Sequence, residues 1–114
     1  MISFVYNPID AMVKAATNLY PTINADIQFN PAIKAPGVTT FQREGEPALI
    51  DINAELPFDS AIESLAYELA HVATKTTSKN DPEWKEASER ILNEFARIVD
   101  KRIEKYQKKT KQSR

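Results

Sequence analysis

The chain contains no cysteine, one histidine, one tryptophan and two glycines in 114 residues. Without cysteine it has no disulfide, no thiol nucleophile and no thiolate metal site, which excludes a disulfide-stapled secreted scaffold and a zinc ribbon. A single imidazole, His71, excludes any metal site built from two or three histidines of one copy. Long apolar runs are also missing, since no stretch approaches the roughly 20 residues needed to cross a bilayer. The apolar start, Met1 to Tyr6, is too short for a signal h-region and has neither a basic flank nor a small-residue cleavage site. The expectation is a soluble, cytoplasmic protein with no membrane partner.

What is present suits one globular domain. Apolar residues make up 42% and charged residues 27%, and a single core normally serves about 100–200 residues. The formal net charge of −1 hides an uneven layout. Residues 1–100 hold eight basic side chains against fifteen acidic, near −7, while residues 101–114 hold seven against one, near +6.

Periodicity sets out the elements. Residues 8–20 place Ile9, Met12, Val13 and Ala16 at helical spacing, with Pro8 in the first turn and Pro21 as the stop. Thr22 to Phe29 alternates Ile23, Ala25, Ile27 and Phe29 against Asn24, Asp26 and Gln28, the period of a half-buried strand. Pro31, Pro36 and Gly37 mark a loop. Strands at 38–42 and 48–53 follow, joined through Gly45 as a hairpin. Ser60 and Glu63 read as a capping box for a helix to about Thr76. A long last helix begins near Pro82 and carries Trp84, Ala87, Ile91, Leu92, Phe95, Ile98, Val99, Ile103 and Tyr106. The apolar pattern stops there, so residues 1–106 are expected to form one domain and 107–114 a basic, disordered tail. The fold class is α+β: a helix, a small three-stranded sheet, then two helices.

On the helix after the third strand, each residue advances about 100°. Ile62, Leu65, Ala66, Leu69, Val72 and Ala73 cluster on one side, whereas Ser64, Tyr67, Glu68 and His71 fall on the other. Tyr67 and His71 lie one turn apart with Glu68 beside them. Two ligands at i and i+4 with an adjacent carboxylate is how a zinc-peptidase helix presents its metal and general base. The stretch from Ile62 to Ala73, with Tyr67-Glu68-Leu69-Ala70-His71-Val72-Ala73 at its centre, resembles the HExxH helix of small zincin-like metallopeptidase domains. These are the SprT-like and ImmA/IrrE-type proteins and their phage and mobile-element relatives. Tyr67 stands where the first histidine belongs, and Asn80 or Asp81 where a third ligand often sits, in a segment ending at Trp84 that resembles the start of the family's last helix.

The resemblance implies a zincin-like fold, with zinc as the family's metal, over about residues 22–100. Its departures weigh against metal chemistry. Tyrosine ligates only as a phenolate, from a reference pKa near 10, and Asn80 or Asp81 offers an oxygen at best. No cofactor is therefore expected, and the domain reads as a catalytically degenerate relative that binds a protein in the cleft between the sheet and the Tyr67/His71 helix, or on the adjoining helix surface. Two alternatives stand beside it. One is a metallopeptidase with Tyr67, His71 and Asp81 on zinc and Glu68 as the base. The other is a nucleic-acid adaptor using Lys105, Lys108, Lys109, Lys111 and Arg114, each phosphate contact adding salt-dependent affinity.

Apart from any resemblance, each residue has a plain structural role to fill. His71 would be a helix imidazole bonded to a neighbour, and Glu68 a solvated carboxylate. Tyr67 would fill the space of a metal site with its hydroxyl on His71 or Asp81. Trp84 would anchor the last helix in the core.

Overall fold

The computed structural model describes residues 2–112, with side chains described to Lys108. Six elements follow in the order α1 (Pro8–Leu19), β1 (Ala25–Asn30), β2 (Gly37–Thr40), β3 (Ala48–Asn53), α2 (Phe58–Thr74) and α3 (Pro82–Gln112). The result is a small α+β domain of three helices and a three-stranded mixed sheet. Among the described residues no helix is long and apolar enough to cross a membrane.

Strand order is β1-β3-β2, with β1 parallel and β2 antiparallel to β3. The β2–β3 hairpin turns at Gly45, whose φ of 85° lies in the left-handed region that glycine enters without a Cβ clash. Parallel register sets Ile27 beside Ile50 and Gln28 beside Asp51. Ala48, Ile50 and Ile52 face the helices and are buried, each isoleucine contributing about 1.5–3 kcal/mol through burial. On the opposite face Asp51 is also buried, because the Gln28 and Asn30 amides both donate to its Oδ1 and stitch β1 to β3.

Asn7 caps α1, its Oδ1 accepting from the amides of Ile9 at 3.0 Å and Asp10 at 3.3 Å, and Pro8 fills the first position. Ala11, Met12, Ala15 and Ala16 form its buried face. The capping box expected at Ser60 is absent: α2 starts at Phe58 behind Pro57, without a side-chain cap, and Glu63 bonds elsewhere. A left-handed Lys75 (φ 56°) ends α2, with the Thr76 amide donating to His71 O at 3.2 Å.

Asp81 caps α3, its Oδ1 accepting from the Glu83 amide at 2.8 Å. Helix α3 then runs through Gln112, past Tyr106 where the apolar pattern predicts an end. Lysine and glutamine favour helix without needing an apolar face, and Lys108 pairs with Glu104 one turn back at 3.3 Å. Helix α1 packs antiparallel on α3, and Asn18 (3.2 Å) and Arg97 both donate to Glu94. Arg97 first, then Asn18, lowers the Glu94 carboxyl to about 2. A lowered folded-state value means the contribution is present above the ordinary carboxyl range and lost as pH falls through about 2. Carbon-detected NMR titration of Glu94 should show that midpoint, and Arg97→Gln should return it toward the ordinary value.

Candidate functional site

Helix α2 sits at the centre of the fold, packed against β2, β3, α1 and α3. From Ala61 to Val72 only Glu63 is exposed. The side holding Ser64, Tyr67, Glu68 and His71 is therefore a second packed face rather than a solvent face. Small residues on the helix, Ala61, Ser64, Ala66 and Ala70, let neighbouring elements approach closely.

Glu68 is 7% exposed and points at the edge strand β2 rather than at solvent. Its Oε1 accepts from the Thr39 hydroxyl at 2.9 Å. Across the strand, Gly37 lies flat against the same side chain: a Cβ there would stand 2.9 Å from Glu68 Cγ and 3.1 Å from its Oε2. Glycine at 37 is thus a packing requirement, set by a carboxylate 31 positions later. The cleft expected between the sheet and this helix is occupied at that point by the direct contact of β2 with Glu68.

His71 is 4% exposed and held from two sides. Its Nδ1 lies 2.7 Å from Thr76 O, and since a carbonyl only accepts, Nδ1 carries the proton and donates. Its ring stacks on Trp84, centroids 4.9 Å apart and planes 18° apart. Trp84 in turn donates from Nε1 to Tyr67 O at 3.0 Å and meets the Tyr67 ring at 5.7 Å. One imidazole and one indole thereby tie together the end of α2, the turn after it and the start of α3.

The Tyr67 hydroxyl donates to Glu63 Oε1, one turn back on its own helix, and not to His71 or Asp81 as the sequence suggests. That bond, then burial and the charge of Glu63, raises the phenol above its ordinary value, so the phenolate needed for metal ligation is disfavoured. Asp81 spends an oxygen on the α3 amide, and Asn80 is exposed. The donor set that the resemblance implies does not fit a zinc ion. Its phenol is aimed at a carboxylate on its own helix, its imidazole is clamped between Thr76 and Trp84, and its acid is capping a helix. Among the described residues no group of three or more histidine, aspartate and glutamate side chains is placed to hold a metal.

Of the proposed nucleic-acid contacts, Lys105 and Lys108 are exposed on the last turns of α3, while the side chains of Lys109, Lys111 and Arg114 lie outside the described residues. Surface cavities among the described residues lie elsewhere. One of about 680 Å³ lies between the α1–β1 turn, the hairpin and the end of α2, lined by Tyr20, Phe41, Arg43 and Lys75. Another, about 500 Å³, lies where α2 starts against the middle of α3. Neither is lined by Tyr67, Glu68 or His71. The second was not legible in the sequence, because its walls come from three separate segments and no local pattern links them.

Compared with known proteins, the chain matches no family model, no curated protein and no solved structure.

Proposed function

We propose that this is a zincin-like domain whose metal site has been replaced by packing, a phage or mobile-element type of protein that acts by binding another protein. The observation that carries the reading is the fate of the Tyr67-Glu68-Leu69-Ala70-His71 segment. It keeps the spacing of a metallopeptidase helix, yet each polar member is engaged in holding the fold: Tyr67 on Glu63, Glu68 on Thr39, His71 on Thr76 and Trp84. The His71 imidazole stacked on the Trp84 indole, rather than facing a second ligand, supports loss of the metal with retention of the scaffold. The order of elements, with the edge strand β2 against this helix at Glu68, supports the same descent.

Metal content separates this from the peptidase reading. Protein purified without chelator and then equilibrated with zinc should retain less than about 0.1 metal per chain after desalting. Stoichiometric zinc that disappears in His71→Ala would overturn the proposal and install the metallopeptidase in its place. A gain-of-function probe complements it. Tyr67→His restores the i,i+4 imidazole pair and is expected to raise zinc affinity, measured by competition with a chromogenic chelator. Unchanged affinity would count against descent from a metal site.

A further inference from the structure

Periodicity cannot divide the apolar residues of the last helix between the core and an outer surface, but their burial does. With Leu92 taken as zero, Ala87, Ile91 and Ile98 fall within about 220–260°, and Leu92, Phe95, Val99, Ile103 and Tyr106 within about 300–20°. The first set is buried in the domain's own core. The second is only partly buried: Leu92, Phe95 and Val99 pack against the edge of that core with one side open, Ile103 continues the stripe half-buried, and Tyr106 is 53% exposed. The core stripe ends near Arg102, which reaches Asp10 in the first turn of α1 at 3.3 Å. The second stripe continues a full turn beyond it.

That stripe begins in the 500 Å³ cavity, whose apolar walls are Tyr6, Pro8, Phe58, Ile62, Leu92 and Phe95. Asp59 and Glu63 form its acidic rim. Phe58 is 59% exposed beside it, and Phe4, two residues before Tyr6, is 82% exposed. An open apolar groove with an acidic rim fits a segment that is apolar on one face and basic along its length. The end of α3 has that chemistry: Ile103 and Tyr106 share a face at i and i+3, among Lys101, Lys105 and Lys108. It cannot reach its own groove. Leu92 and Phe95 lie two to four turns back on the same continuous helix, which rises about 1.5 Å per residue away from them.

We propose that the occupant is the end of α3 from a second copy of this chain, laid antiparallel and reciprocally. A register centred on Val99 sets Ile103 opposite Phe95 and Tyr106 opposite Leu92, and two-fold symmetry makes each contact twice. The same register brings the lysine-bearing end of one copy to the acidic rim of the other, with Lys105 facing Asp59. This follows the overall division of charge, near −7 in residues 1–100 and near +6 beyond them. A parallel pair would instead set Lys101, Lys105 and Lys108 against their own copies, a repulsion that disfavours it. The Lys108–Glu104 pair is exposed at both ends and is no obstacle to the approach. The inference stands whether or not α2 descends from a metal site.

Sedimentation velocity of the full chain tests it, with circular dichroism to show that each variant is folded. Wild type should form a dimer with a dissociation constant of about 10–100 µM, weaker in high salt. Combining Phe58→Ser with Tyr106→Ser should abolish it. Asp59→Lys and Lys105→Glu should each weaken it roughly tenfold, and the two together should restore it, since the pair is then reversed rather than broken. A chain that stays monomeric to about 500 µM, or a dimer that the charge reversal fails to rescue, overturns the proposal. Monomeric protein that takes a synthetic basic amphipathic helix in the groove overturns it as well, and assigns the groove to a foreign partner.

Discussion

Trp84→Ala is expected to destabilise the domain by about 3 kcal/mol, at the low end for a core tryptophan because the indole is only partly buried. The loss has three sources: the ring's packing, its stack on His71, and the Nε1–H donated to Tyr67 O. Against a total stability of about 5–15 kcal/mol this is large, and urea denaturation will read it directly. Trp84→Phe keeps a ring against the imidazole and loses the donor, so it should cost about 1 kcal/mol plus the smaller ring's packing. His71→Ala should cost about 2 kcal/mol, since it removes the stack and leaves Thr76 O without its donor. A double-mutant cycle between the two should show coupling of about 0.5–1.5 kcal/mol. Additive losses would mean that the stacked geometry contributes nothing beyond area, and would remove the packed-site account of His71.

Gly37→Ala is the second large effect, at about 1–3 kcal/mol from overpacking. The added Cβ meets Glu68 at its Cγ, close to the helix backbone, so a flexible tip cannot simply swing aside. Relief requires β2 to lift from α2 or Glu68 to leave its rotamer and its bond to Thr39. Glu68→Ala alone should cost about 1–3 kcal/mol, through the cavity and the lost Oε1 acceptor, which leaves the Thr39 hydroxyl only its longer 3.4 Å bond to Glu68 O. In the double variant the alanine methyl at 37 enters the space that Glu68 vacates. The combined cost should therefore fall below the sum by at least 1 kcal/mol on thermal or chemical denaturation. Simple additivity would show that the strand and helix do not meet as described. Ordinary solvated glutamates do not behave this way, so the pair also separates a buried tie from a surface carboxylate.

Much of the architecture was readable from local pattern. The start of α1 at Pro8, the limits of β3 and the turn at Gly45 follow from spacing and turn chemistry, and so does the start of α3 at Pro82. At two helix ends one local signal is outweighed by other local signals. Ser60 and Glu63 have capping-box spacing, but Pro57 sets an earlier start, and Glu63 is taken by the Tyr67 hydroxyl. The end of α3 lacks apolar residues after Tyr106, yet helix propensity and the Glu104–Lys108 pair carry it on.

The candidate site divides in the same way. That Tyr67, Glu68 and His71 share one side of a helix, with the first and last a turn apart, is a property of helical geometry and was fixed by their spacing. Whether that side meets water was not, because a polar side chain is buried wherever another element supplies room and a hydrogen-bond partner. Gly37 supplies the room and Thr39 the donor for Glu68, from a strand about thirty residues earlier. Trp84, thirteen residues later, supplies the face for His71. The strand order β1-β3-β2 and the division of the α3 apolar residues into fully buried and half-buried were likewise decided by packing between distant segments. By itself the sequence determined which residues stand side by side on each element, since that depends only on backbone period. The tertiary structure decided what those residues touch, since contact depends on where the chain returns.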